Sequence, residues 1–202
     1  MRARTLALAV LTALALAGCT GTGPATPIPP SSPATGAAVA GPQAPAAAWP
    51  APADAQAAVR SAGLPMLGEE KLAVHYHAHL DVVVSGQPVP VPAGIGIDEG
   101  RHLIAPLHTH EPDGVVHIES ATDVPFTLGQ FFAEWGQPLR ADRVGPVALG
   151  PTVVARVYRN GTAVTGDPAA LRFAAHDEIV VWIGPAGQTP QVPRGYAFAP
   201  GE

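Results

Sequence analysis

The stretch VHYHAHLDVVV, residues 74–84, alternates between polar and apolar side chains, and that period of two constrains the fold more than any other feature. Successive side chains leave a pleated strand on opposite sides. His75, His77, His79 and Asp81 then share one face, while Val74, Tyr76, Ala78, Leu80, Val82 and Val84 line the other. A helix would scatter the three imidazoles around its circumference, and the run of valines at 82–84 favours a strand in any case. The stretch is predicted to be a strand with the core behind it and a ladder of imidazoles in front.

A second segment repeats the design. PLHTHEPDGVVHIES, residues 106–120, reads as a hairpin turning at Pro112-Asp113, with Gly114 closing the turn. With that tip, His110 is expected to face Val115 and His108 to face His117, and a directly opposed pair brings its Cβ atoms within roughly 4.5–5.5 Å. His108, His110, His117 and Glu119 would share one face, with Leu107, Val116 and Ile118 behind.

Should the two histidine faces meet, six of the chain's 8 histidines gather: His75, His77, His79, His108, His110 and His117. Neutral imidazole is the commonest biological metal ligand, and three or four such donors complete a zinc site. Six exceed the needs of one tetrahedral ion. Either two ions bind, or some rings are partners oriented by Asp81, Glu111, Asp113 or Glu119. His102 and His176, isolated from both ladders, are read as structural. Imidazole suits copper and zinc, with affinity rising to Cu²⁺. No thiolate or methionine cluster favours Cu(I), so copper(II) or zinc is the expected ion.

The rest of the chain supplies the setting. Arg2 and Arg4 precede an apolar run, Leu6 to Ala17, too short to span a bilayer but suited to a secretory signal. It ends in LAGC, which resembles the lipobox of bacterial lipoproteins and implies lipid on Cys19, the only cysteine. Residues 1–18 are accordingly read as a lipoprotein signal peptide. The mature domain is expected at the outer side of the cell membrane, held there by several acyl chains. A lone cysteine reserved for lipid leaves no disulfide and no thiol ligand. Residues 19–53, uncharged and rich in Ala, Pro and Gly, read as a disordered tether. Residues 54–68 hold a short helix and a connection, 69–184 the His-rich domain, and 185–202 an irregular tail. The net charge of -5, with Lys71 the only lysine, argues against nucleic acid as a partner.

Within the domain, FTLGQFFAEWG is predicted to be a helix, with Thr127 and Gln130 at capping-box spacing and an apolar stripe of Leu128, Phe131, Phe132 and Trp135. TVVARVYRNGTAV is predicted to be a hairpin turning at Asn-Gly, and DEIVVWIG supplies the last strand. Two hairpins, one helix, a third hairpin and a strand make an α+β fold. A small, mostly antiparallel sheet crossed by one helix, β-grasp-like in form, is the expected architecture.

From about Val74 onward the chain resembles a family of exported, His-rich bacterial and archaeal proteins. The resemblance rests on HYHAHLDVVVSGQPVPVPAGIGI, PLHTHEPDGVVHIES, FTLGQFFAEWG and the ending VPRGYAFAPG. Members often carry a cysteine three residues before the proline of PLHTH; here that position is Leu103. The resemblance implies export and a shared histidine site, and brings no activity with it.

Three functional readings follow from the residues. The first is a lipid-anchored protein that binds and handles copper or zinc. The second is a metalloenzyme in which three histidines hold the ion, water takes an open position, and Glu119 or Glu111 is the base. The third is a structural lipoprotein whose histidines form a pH-sensitive surface. Signatures of serine hydrolases, P-loop proteins and dinucleotide binders are absent from the sequence.

Overall fold

In a computed structural model that describes residues 49–68 and 73–201, the alternating stretch forms one strand, β1 (Val74–Val84). Eleven further strands follow among the described residues. They are β2 (Gln87–Val89), β3 (Ile97–Asp98), β4 (Leu103–Ile104), β5 (Leu107–His108), β6 (Val115–Ser120) and β7 (Leu139–Arg140). After them come β8 (Arg143–Val144), β9 (Val147–Ala148), β10 (Val153–Arg159), β11 (Thr162–Ala163) and β12 (Glu178–Pro185). Two α-helices complete the described residues, α1 (Ala55–Ser61) and α2 (Leu128–Glu134). The class is α+β, with mostly antiparallel pairing.

The main sheet runs β11-β10-β12-β1-β6-β5, with β2 also on β1. Its centre is mixed: β1 lies parallel to β12, from His79 beside Glu178 to Val84 beside Ile183. On its other edge β1 is shared. Its first half pairs antiparallel with β6, and its last three residues pair with β2. β2 ends at Val89 before Pro90, as expected for an edge strand that proline interrupts.

Period-two burial sorts the sheet into two faces. Ala78, Leu80 and Val82 of β1, Val116 and Ile118 of β6, and Ile179, Val181 and Ile183 of β12 join one core cluster with Leu128, Phe131 and Phe132 of α2 and Trp135 at its C-terminal cap. Helix α2 begins with the predicted capping box, in which the Thr127 side chain accepts from Gln130 N–H and the Gln130 side chain accepts from Thr127 N–H. Asp54 caps α1, whose Val59 is buried in the same core. Asn160 and Gly161 both take positive φ, 52° and 77°, as the tight β10–β11 turn demands.

Trp49, placed by its composition in the tether, is instead a core residue. It is 4% exposed, its ring centroid is 5.5 Å from that of Trp135, and its carbonyl accepts from Trp135 Nε1. Residues 19–48, including Cys19, and the signal 1–18 lie outside the described residues. Among the described residues no helix is long and apolar enough to cross a membrane.

The opposite face of the sheet carries the imidazoles at the β5–β6 end. Toward β10 and β12 it carries a small apolar cluster of Tyr158, Val180 and Trp182, against which Val192 of the tail packs. The tail is held to this face. Arg156 donates to the Ala186 and Gln188 carbonyls, Tyr196 stacks on His79, and Phe198 stacks on His176.

Candidate metal centre

Strand register sets the site. In the β1–β6 ladder His77 stands opposite His117 and His75 opposite Glu119, while in the β5–β6 ladder His108 stands opposite His117. Three imidazoles therefore line up across three strands, with a histidine–glutamate pair one rung beyond. Opposed side chains on one face of a ladder are the closest neighbours a sheet provides.

The donor atoms converge. His77 Nε2 is 3.0 Å from His117 Nδ1 and 3.2 Å from His75 Nε2. Glu119 Oε1 is 3.3 Å from His75 Nε2, 3.8 Å from His117 Nδ1 and 3.9 Å from His108 Nε2. A tetrahedral ion with bonds of about 2.0–2.1 Å separates its ligands by about 3.3–3.4 Å. The inner set His75, His77, His117 and Glu119 is spaced for such an ion, with its ligand atoms all within 4.8 Å of one another. His108, His110 and His117 form a second group by the same measure.

Burial tunes these rings. His108 is wholly buried, and its pKa is pushed down to about 3 by desolvation, countered by its hydrogen bond to the Ala105 carbonyl and reinforced by His110, His117 and His77. His117 is pushed down to about 4, first by burial and then by His77, His110 and His75. Both keep the uncharged form that a metal requires. His108 Nδ1 donates to the Ala105 carbonyl at 2.9 Å, which fixes the tautomer and leaves Nε2 as the bare nitrogen. His75 and His110 are exposed and give the group its opening to solvent.

His79 stands apart from the other five. Its Nδ1 faces Glu178 Oε2 at 2.9 Å and its Nε2 faces the Asp113 carbonyl at 2.9 Å, an arrangement of two acceptors that favours the protonated ring. Burial alone would lower its pKa, but the hydrogen bond and charge of Glu178, with Asp113 and Asp81, raise it overall. Its ring lies flat against Tyr196, with centroids 3.8 Å apart. With Asp81 and Glu178 it makes a third group close enough for an ion, yet as built the group is an internal ion pair.

The predicted carboxylates divide in the same way. Glu119 is in the centre, and Asp81 is beside His79. Asp113 uses its side chain to accept Val115 N–H and its carbonyl to hold His79, and Glu111 is exposed at the hairpin tip. His110 does not face Val115 as the hairpin rule predicts. Pairing stops at His108 because Thr109 turns to the 92–95 loop, giving its N–H to Ile95 O and its hydroxyl to Pro92 O. Val115 sits opposite His79 instead. His102 and His176, read as structural, both occupy the left-handed backbone region, with φ of 54° and 59°.

Sequence reasoning missed Glu178, which is 99 positions from its partner His79, and Glu134 in the core. Glu134 had a visible signal, since it falls three residues after Phe131 on the apolar stripe of α2. The described residues thus contain buried His and Glu groups close enough to hold a metal ion. Comparison with protein-family models, with curated proteins and with solved structures returned no match to this chain.

Proposed function

We propose that this chain is a metal-binding protein that holds copper(II) or zinc between His75, His77, His117 and Glu119, and that it works on the outer side of the cell membrane, anchored by lipid on Cys19. The observation that carries the metal reading is the meeting of three imidazole nitrogens and one carboxylate oxygen, from two paired strands, at tetrahedral ligand spacing. The anchoring rests on the sequence, through the short apolar run and LAGC. Imidazole with carboxylate suits zinc and copper(II), and the absence of thiolate and thioether donors at the site disfavours Cu(I).

The donor set favours binding over catalysis. Four protein ligands close a tetrahedral ion, whereas a catalytic zinc keeps a position for water. Glu119, the natural choice of general base, is itself the fourth ligand in this arrangement. The test is metal analysis of the chain purified without a polyhistidine tag, followed by calorimetric titration with Cu²⁺ and Zn²⁺. Tight binding, weakened by His77→Ala, is expected; protein that neither retains nor takes up either ion would overturn the reading.

A further inference from the structure

We propose that the centre takes a second divalent transition-metal ion, held by His108, His110 and His117, so that His117 serves both ions. This rests on the inner ion proposed above and extends it.

His108 carries the inference. Its ring is wholly buried, and its Nδ1–H is committed to the Ala105 carbonyl. A neutral imidazole has one N–H, so Nε2 can only accept. Among the described residues no hydrogen-bond donor reaches that atom, and the polar group 3.9 Å away is Glu119 Oε1, also an acceptor. A buried acceptor without a donor costs about 1–3 kcal/mol. A cation is the kind of partner that satisfies a bare ring nitrogen beside a carboxylate.

The inner ion is not that cation, because His75, His77, His117 and Glu119 already complete four-coordination. The common reach of the donor atoms puts His108 with His110 and His117 instead. His117 stands between the groups. Its ring meets His77 edge-on at 4.4 Å and His110 edge-on at 4.6 Å, and it stacks on His108 at 5.1 Å. Nδ1 lies 3.0 Å from His77 Nε2 and goes with the inner set; sharing the ring between two ions then requires Nε2 for the outer one. To serve both, His117 releases its remaining N–H proton to solvent as the second ion binds and becomes an imidazolate; no electron is transferred. The outer ion has three nitrogen ligands, one of them the exposed His110, and therefore an open position toward solvent. It is the exchangeable ion, and the inner one is the retained ion.

The test loads the full, untagged chain with Cu²⁺, removes the excess by gel filtration, and counts copper per chain alongside the spin intensity of its paramagnetic resonance. Two coppers are expected, with fewer than two spins' worth of signal, because a shared imidazolate couples the pair. His110→Ala, a change at an exposed position, should hold one copper with a full one-spin signal. One copper in the wild-type chain would overturn the second ion and leave the inner site standing. None would overturn both. Two coppers in His110→Ala would place the second ion elsewhere and overturn this assignment.

Discussion

His77 and His117 sit directly opposite one another on β1 and β6, with Nε2 of the first 3.0 Å from Nδ1 of the second. Two ring nitrogens at that distance either share a proton or share an ion, and residues 40 positions apart in the chain meet there. Replacing either by alanine should weaken Cu²⁺ binding by more than about 100-fold, above the usual cost of losing a merely supporting group. The double variant should lose less than the sum of the two, because both serve one ion. Calorimetry on the four proteins checks this; strictly additive losses would separate the two residues into independent sites.

Acid should destabilise the metal-free protein through His108 and His117. Their folded pKa values, about 3 and about 4, lie below the free value of about 6.5. Between those limits the unfolded chain takes up protons that the folded chain refuses, so stability is full above about pH 6.5 and declines as the pH falls. Urea midpoints are expected to drop from pH 7 to pH 5, the two histidines together outweighing the opposite slope of buried Glu134. His117→Asn should flatten the slope, and a wild-type midpoint constant over that range would contradict the burial argument.

The His79–Glu178 pair has the opposite sign. Burial lowers the His79 pKa, the Glu178 hydrogen bond and charge more than restore it, and the net value is raised. Its stabilisation is complete below the unfolded pKa of about 6.5 and is lost as the pH rises through the folded value. Glu178→Gln should cost about 3 kcal/mol at pH 5.5, the usual scale for breaking a buried pair. It should cost clearly less at pH 9. Equal losses at both values would mean that the ring is neutral throughout.

Glu134 is fully buried on α2, and neither carboxyl oxygen has a hydrogen-bond partner among the described residues. Burial raises its pKa well above the usual range, so the folded state holds it neutral. That preference favours folding below the unfolded pKa and turns into a loss as the pH climbs through the folded value. Glu134→Leu, close in volume and free of polar atoms, should raise the melting temperature, by more at pH 8 than at pH 5. A lower melting temperature at pH 8 would show that the carboxyl has a partner worth keeping.

Lipid anchoring is separable from all of this. Cys19→Ala is expected to abolish labelling by a fatty-acid probe and to release the domain into the soluble extracytoplasmic fraction. A wild-type chain that takes up no label would remove the anchor from the proposal.

Local patterns in the sequence were legible where a single element carries its own reason. The alternation in 74–84 yields β1, Asn160-Gly161 yields its hairpin, and Thr127 with Gln130 yields the start of α2. The His108–His117 pair was legible too, because a hairpin tip fixes its own register. What escaped depends on distant segments. The parallel β1–β12 pairing and the His79–Glu178 bond join residues about 100 apart, and no turn announces them. The β7-β8-β9 ribbon has two-residue strands, too short to show a period. Trp49 lies among prolines and alanines that speak for disorder, and only the three-dimensional neighbourhood of Trp135 and Gly145 makes it core.

The alternation that builds the centre also leaves it ambiguous. With histidines at 75, 77 and 79, β6 could slide two residues along β1, placing His117 against His79 and Glu119 against His77, and still offer an ion imidazole and carboxylate. The ladder cannot choose between these alignments. Gly114 can: its N–H–bearing loop seats against β1 so closely that an added Cβ would lie 2.6 Å from the Leu80 carbonyl and 2.9 Å from His79 Nε2, and its own carbonyl accepts Leu80 N–H. A residue with no side chain thus helps fix which histidines stand opposite one another, and a methyl group there would push the two strands toward misalignment.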